Sequence, residues 1–128
     1  MILGFKPQFV PHILSGAKIH TIREDVHDRW GHGTKIQMAT GVRTKQYNCF
    51  KEAFCISTER IKINPQNKTI LIGVPVKHCK NLSVQETEQL AINDGFPGSK
   101  EFWEWFNKPF HGKIIHWTDH KYIKATSP

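Results

Sequence analysis

At 128 residues the chain is long enough for one domain with a real core and too short for two. Apolar residues make up only 38%, yet eight Phe and four Trp suffice to fill a small core, and no apolar run nears the roughly 18–20 residues of a membrane span. The net charge of +7 points to a polyanionic partner, most simply RNA or DNA, against the plainer reading of charge kept for solubility.

Met1-Ile2-Leu3-Gly4-Phe5-Lys6 has no basic lead, long apolar stretch or cleavage site, so a secretory signal is not expected. Ile2 to Phe5 reads as a first strand stopped by Pro7. Phe9, Val10, Ile13 and Leu14 follow at helical spacing, with Pro11 tolerable in the first turn. Gly16 stands where a helix stop belongs, and Ile19 to Arg23 reads as a strand. Glu24 to Gly33 is a polar loop with Trp30 as its anchor. Lys35 to Thr40 is a strand with Ile36 and Met38 on one face, and Gly41 to Gln46 is a basic turn.

Ala53 to Ile63 is strand-like throughout, and Asn64-Pro65-Gln66-Asn67-Lys68 is a strong turn signal. Ile70, Ile72, Val74 and Val76 alternate cleanly, which completes a hairpin; Gly73 and Pro75 place the end of its second strand at an edge or bulge. Ser83 with Glu86 forms a capping box for a helix from Val84 to Asn93, stopped by Gly95. Ser99 is the expected cap of a second helix, with Phe102, Trp105 and Phe106 on one face and Pro109 closing it. Lys113 to Thr118 returns to β alternation, and the polar tail from Lys121 to Pro128 is expected to fray. Roughly five to seven strands with few connecting helices imply an α+β domain, residues 1–120, around a small mixed barrel. No GxGxxG, GxxxxGK[ST] or GxSxG stretch occurs, and βαβ alternation is missing, which argues against a doubly wound nucleotide-binding sheet.

Leu14-Ser15-Gly16-Ala17-Lys18-Ile19-His20-Thr21-Ile22-Arg23 resembles the G-x-K-x-x-T-x-R signature of the ASCH domain, a PUA-like β-barrel. Further features follow in the family's order. Trp30-Gly31-His32-Gly33 precedes a strand, a hairpin comes next, and Asn93-Asp94-Gly95-Phe96 leads into the aromatic segment Glu101-Phe102-Trp103-Glu104-Trp105-Phe106. The resemblance covers most of the chain, from Ile2 to Trp117. It implies a PUA-like small mixed barrel with flanking helices, in the cytoplasm, whose cleft faces RNA or a nucleoside. Some bacterial members are amidohydrolases that deacetylate 4-acetylcytidine through a lysine, a threonine and an acid. Carried onto this chain these are Lys18, Thr21 and Asp94. The chain departs from that subgroup in having Asp for Glu and in its longer aromatic helix.

The chemistry is coherent without the family. Amide hydrolysis needs an activated nucleophile, a proton donor for the leaving amine and stabilisation of the oxyanion. A desolvated Lys18 can be a base, Thr21 a nucleophile or water holder, Asp94 a proton relay, and Arg23 a clamp for a phosphate or carbonyl. In a regular strand Thr21 and Arg23 share a face while Lys18 points away, so the trio requires Lys18 to lie in the turn after Gly16. The plainer reading makes Lys18 a solvated loop residue, Thr21 a β-former and Arg23 a partner of Glu24 or Asp25.

Arg29, Lys35, Arg43 and Lys45 are candidates for phosphate contacts beside the motif residues Gly16 and Arg23, against a solvated basic face. Trp103, or Trp105, is a candidate to line the cleft, while Phe102 and Phe106 belong to the core. His116 and His120 stand four apart, a spacing that does not converge two ligands on a strand. Cys79 beside His78 has no partner pair. Three cysteines without CxxC spacing fit free thiols in a reducing compartment, so neither a metal nor another cofactor is expected. Three functions stay open for a monomer. They are binding of RNA or a nucleoside or nucleotide in a basic cleft, 4-acetylcytidine deacetylation through Lys18, Thr21 and Asp94, and, more remotely, ribonuclease action.

Overall fold

A computed structural model describes residues 1–73 and 79–123. Its elements run β1 Ile2–Gly4, a 3-10 turn Pro7–Phe9, α1 Val10–Ser15, β2 His20–Arg23, β3 Lys35–Thr40, β4 Asn48–Phe54, β5 Ser57–Asn64, β6 Thr69–Ile72, β7 Lys80–Asn81, α2 Val84–Asn93, α3 Ser99–Trp105 and β8 Phe110–His116. The domain is therefore α+β. Among the described residues the strands form two sheets rather than one closed barrel: β1-β3-β4, and β2-β8-β5-β6-β7. In the smaller sheet β1 pairs in parallel with β3, and β3 pairs antiparallel with β4 through an irregularity between Met38 and Ala39.

The two sheets share one core. Leu3, Ile36 and Met38 of the smaller meet Ile22, Ile61, Ile63, Ile70, Ile72, Ile114 and Ile115 of the larger, with Leu90, Phe96 and Phe102 from the helical side. Burying such side chains contributes about 1.5–3 kcal/mol each, and this is the main favourable term. Trp30 is buried and anchors its polar loop. Strand β8 lies between β2 and β5, and its segment from Lys113 to His116 is buried on both faces. The expected strand from Lys113 to Thr118 is thus displaced toward the N-terminus.

Three expectations need correction. Ala53 to Ile63 is not one strand. The Cys55 N–H donates to the Thr34 carbonyl at 2.8 Å, and the next amide, of Ile56, donates to the His116 carbonyl at 2.8 Å. The chain changes sheets across that one step, with no Gly or Pro to mark it. Ser99 is not the cap of α3. Gly98 holds that position, and the Ser99 N–H is taken by the Glu88 carboxylate at 2.9 Å, a satisfaction supplied across helices. Trp105 does not share the buried face of Phe102; it is 45% exposed. The hairpin of β5 and β6 forms with Ile61 opposite Ile72 and Ile63 opposite Ile70. Val74, Pro75, Val76 and His78 lie outside the described residues, as do residues 124–128 of the tail. Among the described residues no helix is long and apolar enough to cross a membrane.

Helix α2 occupies the expected range, and its capping box is complete. The Glu86 N–H donates to Ser83 Oγ at 3.1 Å, and the Ser83 N–H donates to Glu86 Oε1 at 3.0 Å. Ser83→Ala is expected to lower the unfolding free energy by about 1 kcal/mol without changing the fold, read as a shift of the urea midpoint at unchanged m-value.

Candidate functional site

The site begins at the end of α1. Gly16 takes the left-handed conformation, φ 87°, that ends the helix, and its N–H donates to the Ile13 carbonyl at 3.2 Å. The Lys18 N–H then folds back to the His12 carbonyl at 2.9 Å, and the Ile19 N–H reaches the Asn93 carbonyl, the last residue of α2, also at 2.9 Å. Lys18 therefore precedes the strand alternation, which starts at His20. Its side chain turns inward and is 2% exposed.

Across from it, Asp94 is the C-cap of α2, and Gly95 at φ 95° turns the chain into Phe96. Lys18 Nζ donates to the Asp94 carbonyl oxygen at 2.5 Å and to Asp94 Oδ1 at 3.2 Å, joining residues 76 apart in sequence. A cavity of about 270 Å³ opens here, lined by Lys18, Thr21, Arg23 and Asp94 on its polar side and by Phe5, Phe9, Phe96 and Trp105 among its walls. The lysine ammonium stands 5.1 Å from the Phe9 ring centre and 5.7 Å from that of Phe5, which leaves it little water. Burial lowers the Lys18 pKa from its ordinary value, opposed by the Asp94 charge and hydrogen bond.

Arg23 shares the Thr21 face, as alternation requires. It donates from Nε to Thr21 Oγ1 at 3.3 Å and from Nη2 to the Gly4 carbonyl at 2.7 Å, and it lies over the Phe5 ring at 5.0 Å. At the mouth, Lys6 sits 5.1 Å from the ring centre of Trp105, whose ring packs edge-on against Phe9 and Phe96. Trp105, not Trp103, lines this cavity. Trp103 packs edge-on against Phe102 and borders a separate groove with Lys68 and Lys100.

The remaining basic candidates are not among the cavity-lining residues. Gly16 sets the backbone and is exposed. Arg29 is exposed in the Trp30 loop, Lys35 pairs with Glu52 at 2.7 Å on the surface, and Arg43 and Lys45 project from the turn after β3. Among the described residues no cluster of three or more His, Cys, Asp or Glu side chains could hold a metal ion. His116 and His120 lie 6.2 Å apart between ring centres, and His116 Nε2 is bound to Glu59 Oε1 at 2.7 Å.

Periodicity overlooked a second layer behind Asp94. His20, fully buried on β2, places Nδ1 3.1 Å from Asp94 Oδ1 and Nε2 2.6 Å from the Tyr122 hydroxyl, and that hydroxyl oxygen accepts from Asn93 Nδ2 at 3.0 Å. The expected fraying from Lys121 onward does not hold at its start. The Tyr122 and Ile123 amides donate to the two oxygens of Glu59 at 2.9 and 2.8 Å. A polar His20 on the strand face that continues into Ile22 was the available signal; Tyr122 offered none.

Comparison with family models, curated proteins and solved structures finds no match. What this site can do follows from its own geometry. It offers an acidic–basic pair out of water, a hydroxyl and a guanidinium beside it, and aromatic walls.

Two outcomes follow. A methyl at Gly95 would lie 2.9 Å from Lys18 Cδ and 3.0 Å from Phe9, at a backbone angle side chains avoid, so Gly95→Ala should lower stability and displace Lys18. A calorimetric scan and a ligand titration would read both effects. Burial depresses His20 to about 4, against the raising effect of Asp94. Its neutral form stabilises the fold above the unfolded value of 6.5, and that share is lost as pH falls from 6.5 toward 4. The loss should reach about 3 kcal/mol in wild type and be absent in a folded His20 replacement, measured by denaturant unfolding at each pH.

Proposed function

We propose that this chain is an ASCH-type domain of PUA-like fold that hydrolyses the acetyl amide of a 4-acetylcytidine-type nucleoside. The observation that carries the reading is the meeting of Lys18, Thr21 and Asp94 around one cavity, with Lys18 Nζ 3.2 Å from Asp94 Oδ1. These are the three residues that the motif resemblance nominates. The fold assignment rests on the order of the motifs and on two sheets sharing one core beside α2 and α3. The cavity suits one flat base with its substituent better than a stretch of polynucleotide. It is small, it is walled by aromatics, and Arg29, Lys35, Arg43 and Lys45 do not line it.

In this mechanism neutral Lys18 takes a proton from a water held against Thr21 Oγ1 as the water oxygen attacks the acetyl carbonyl carbon. Arg23 balances the oxyanion. The tetrahedral intermediate then breaks at its carbon–nitrogen bond, and the Lys18 proton passes to the departing exocyclic nitrogen, yielding cytidine and acetic acid, which releases its remaining proton to solvent as acetate. Asp94 holds the lysine in place and offsets its charge while it is protonated. Burial serves the reaction directly, since it favours the uncharged amine that a base must be.

Binding without turnover, of a nucleoside or a single RNA base, is a second reading. It is favoured by the two bonds Lys18 Nζ already makes to Asp94, which leave one of its hydrogens for a substrate. A chromatographic assay with 4-acetylcytidine separates the two. Release of cytidine, reduced at least about a hundredfold by Lys18→Ala and rising with pH along a limb below 10.5, supports hydrolysis. Turnover unaffected by Lys18→Ala refutes this mechanism, and saturable binding with no product leaves the second reading.

A further inference from the structure

We infer that His20 and Tyr122 are positioning residues for the Lys18–Asp94 pair, so that the segment following β8 is a working part of the site. The inference rests on reading that pair as the reactive centre. Neither residue is among those lining the cavity. Both are tied to it through a single carboxylate oxygen. Asp94 Oδ1 meets Lys18 Nζ at 3.2 Å on its cavity side and His20 Nδ1 at 3.1 Å behind.

The hydrogen bonds fix the protons. Asn93 Nδ2 can only donate, so the Tyr122 oxygen accepts from it. The Asp94 carboxylate only accepts, so His20 Nδ1 carries a hydrogen and donates it to Asp94 at 3.1 Å. In the neutral ring Nε2 is then bare and takes the Tyr122 hydroxyl hydrogen at 2.6 Å. With His20 neutral, both of its ring nitrogens, the Tyr122 hydroxyl and Asn93 Nδ2 each have a partner. A protonated His20 would instead present two donors, one of them to a phenol whose own hydrogen then has to find another acceptor.

The groups facing His20 agree. Lys18 and Asp94 lie on one side, and the His116 ring stands edge-on at 5.3 Å with Glu59 bound behind it. A positive charge on His20 would face the Lys18 amine on one side and the His116 ring on the other. Burial also keeps the Tyr122 hydroxyl protonated, pushing its pKa upward.

The C-terminal segment is held for this task by Glu59. Its two carboxylate oxygens take consecutive amides, of Tyr122 and Ile123, and one also takes His116 Nε2. A clamp on the backbone immediately at Tyr122 sets the hydroxyl's depth to the His20 ring. His20 in turn fixes the rotation of the Asp94 carboxylate, and with it the direction of Lys18 Nζ. Misplacing a catalytic group by about 1 Å can cost on the order of a hundredfold in rate, so this layer has leverage without touching substrate.

The test uses the full chain labelled with ¹⁵N in its histidine rings. In wild type, long-range proton–nitrogen spectra should show His20 with hydrogen on Nδ1 and a bare Nε2. Tyr122→Phe, which removes one oxygen from a packed ring, should shift the Nε2 resonance. It should also lower kcat on 4-acetylcytidine by roughly ten- to a hundredfold with KM unchanged. A His20 carrying its hydrogen on Nε2 in wild type overturns the proposal. So does a Tyr122→Phe protein that is merely less stable, with kcat and the Nε2 resonance unmoved. If wild type does not turn over 4-acetylcytidine, the hydrolase reading fails by itself. The tautomer and the resonance shift then still decide whether His20 and Tyr122 hold Asp94.

Discussion

A lysine ammonium and an aspartate held almost wholly out of water, at 2% and 4% exposure, impose the strictest condition on this molecule. Removing charges from water costs several kcal/mol per ion, and the mutual attraction recovers that only when geometry is good and the remaining lone pairs and protons are satisfied. Here Lys18 has both the carboxylate and the backbone carbonyl of Asp94, and the same carboxylate oxygen also meets His20 Nδ1. Such a pair is poor evidence of stabilisation for its own sake, because well-packed apolar residues commonly do as well. A function that needs a shielded amine explains it better.

Much of the fold serves that condition. The positive φ of Gly16 lets the chain leave α1 so that Lys18 points inward before strand geometry takes over. At the other end of the site, the bare Cα of Gly95 leaves room for the lysine stem, which a methyl group would strike. Between them, the amide of Ile19 bonds the carbonyl of Asn93 and ties the two backbone segments to each other. The core isoleucines supply rigidity, and the end of β8 from Lys113 onward, buried on both faces, carries His116 to the back of the cluster.

Particular residues show what could be read in the linear chain and what could not. The helix from Val84 to Asn93 was legible because its signals are local. A serine and a glutamate three residues apart satisfy each other's amides, and a glycine can follow where positive φ is needed. Ile61, Ile63, Ile70 and Ile72 were legible because alternation reports one buried face. The break between β4 and β5 was not, because Cys55 and Ile56 suit strands equally well and only their partners, Thr34 and His116, differ. Strand β7, two residues long, has no periodicity to detect. Trp103 and Trp105 were indistinguishable on composition. Which of them faces the cavity depends on how α3 is rolled against α2 and Phe9, a long-range matter.

The candidate trio divides in the same way. By itself the sequence determined that a lysine, a threonine and an arginine follow a glycine helix stop, and that an aspartate and a glycine end the later helix. It also determined that Thr21 and Arg23 share a face, since all of this follows from backbone stereochemistry over a few residues. Tertiary structure alone decided that Lys18 meets Asp94, that His20 stands behind the carboxylate, and that Tyr122 closes the chain of hydrogen bonds instead of fraying into solvent. Those contacts join residues 76, 74 and 102 apart. No local preference of a lysine, a histidine or a tyrosine encodes them. They form because burying the isoleucine faces of β2, β5, β6 and β8 brings the polar groups among them into a space without water, where each can be satisfied only by another.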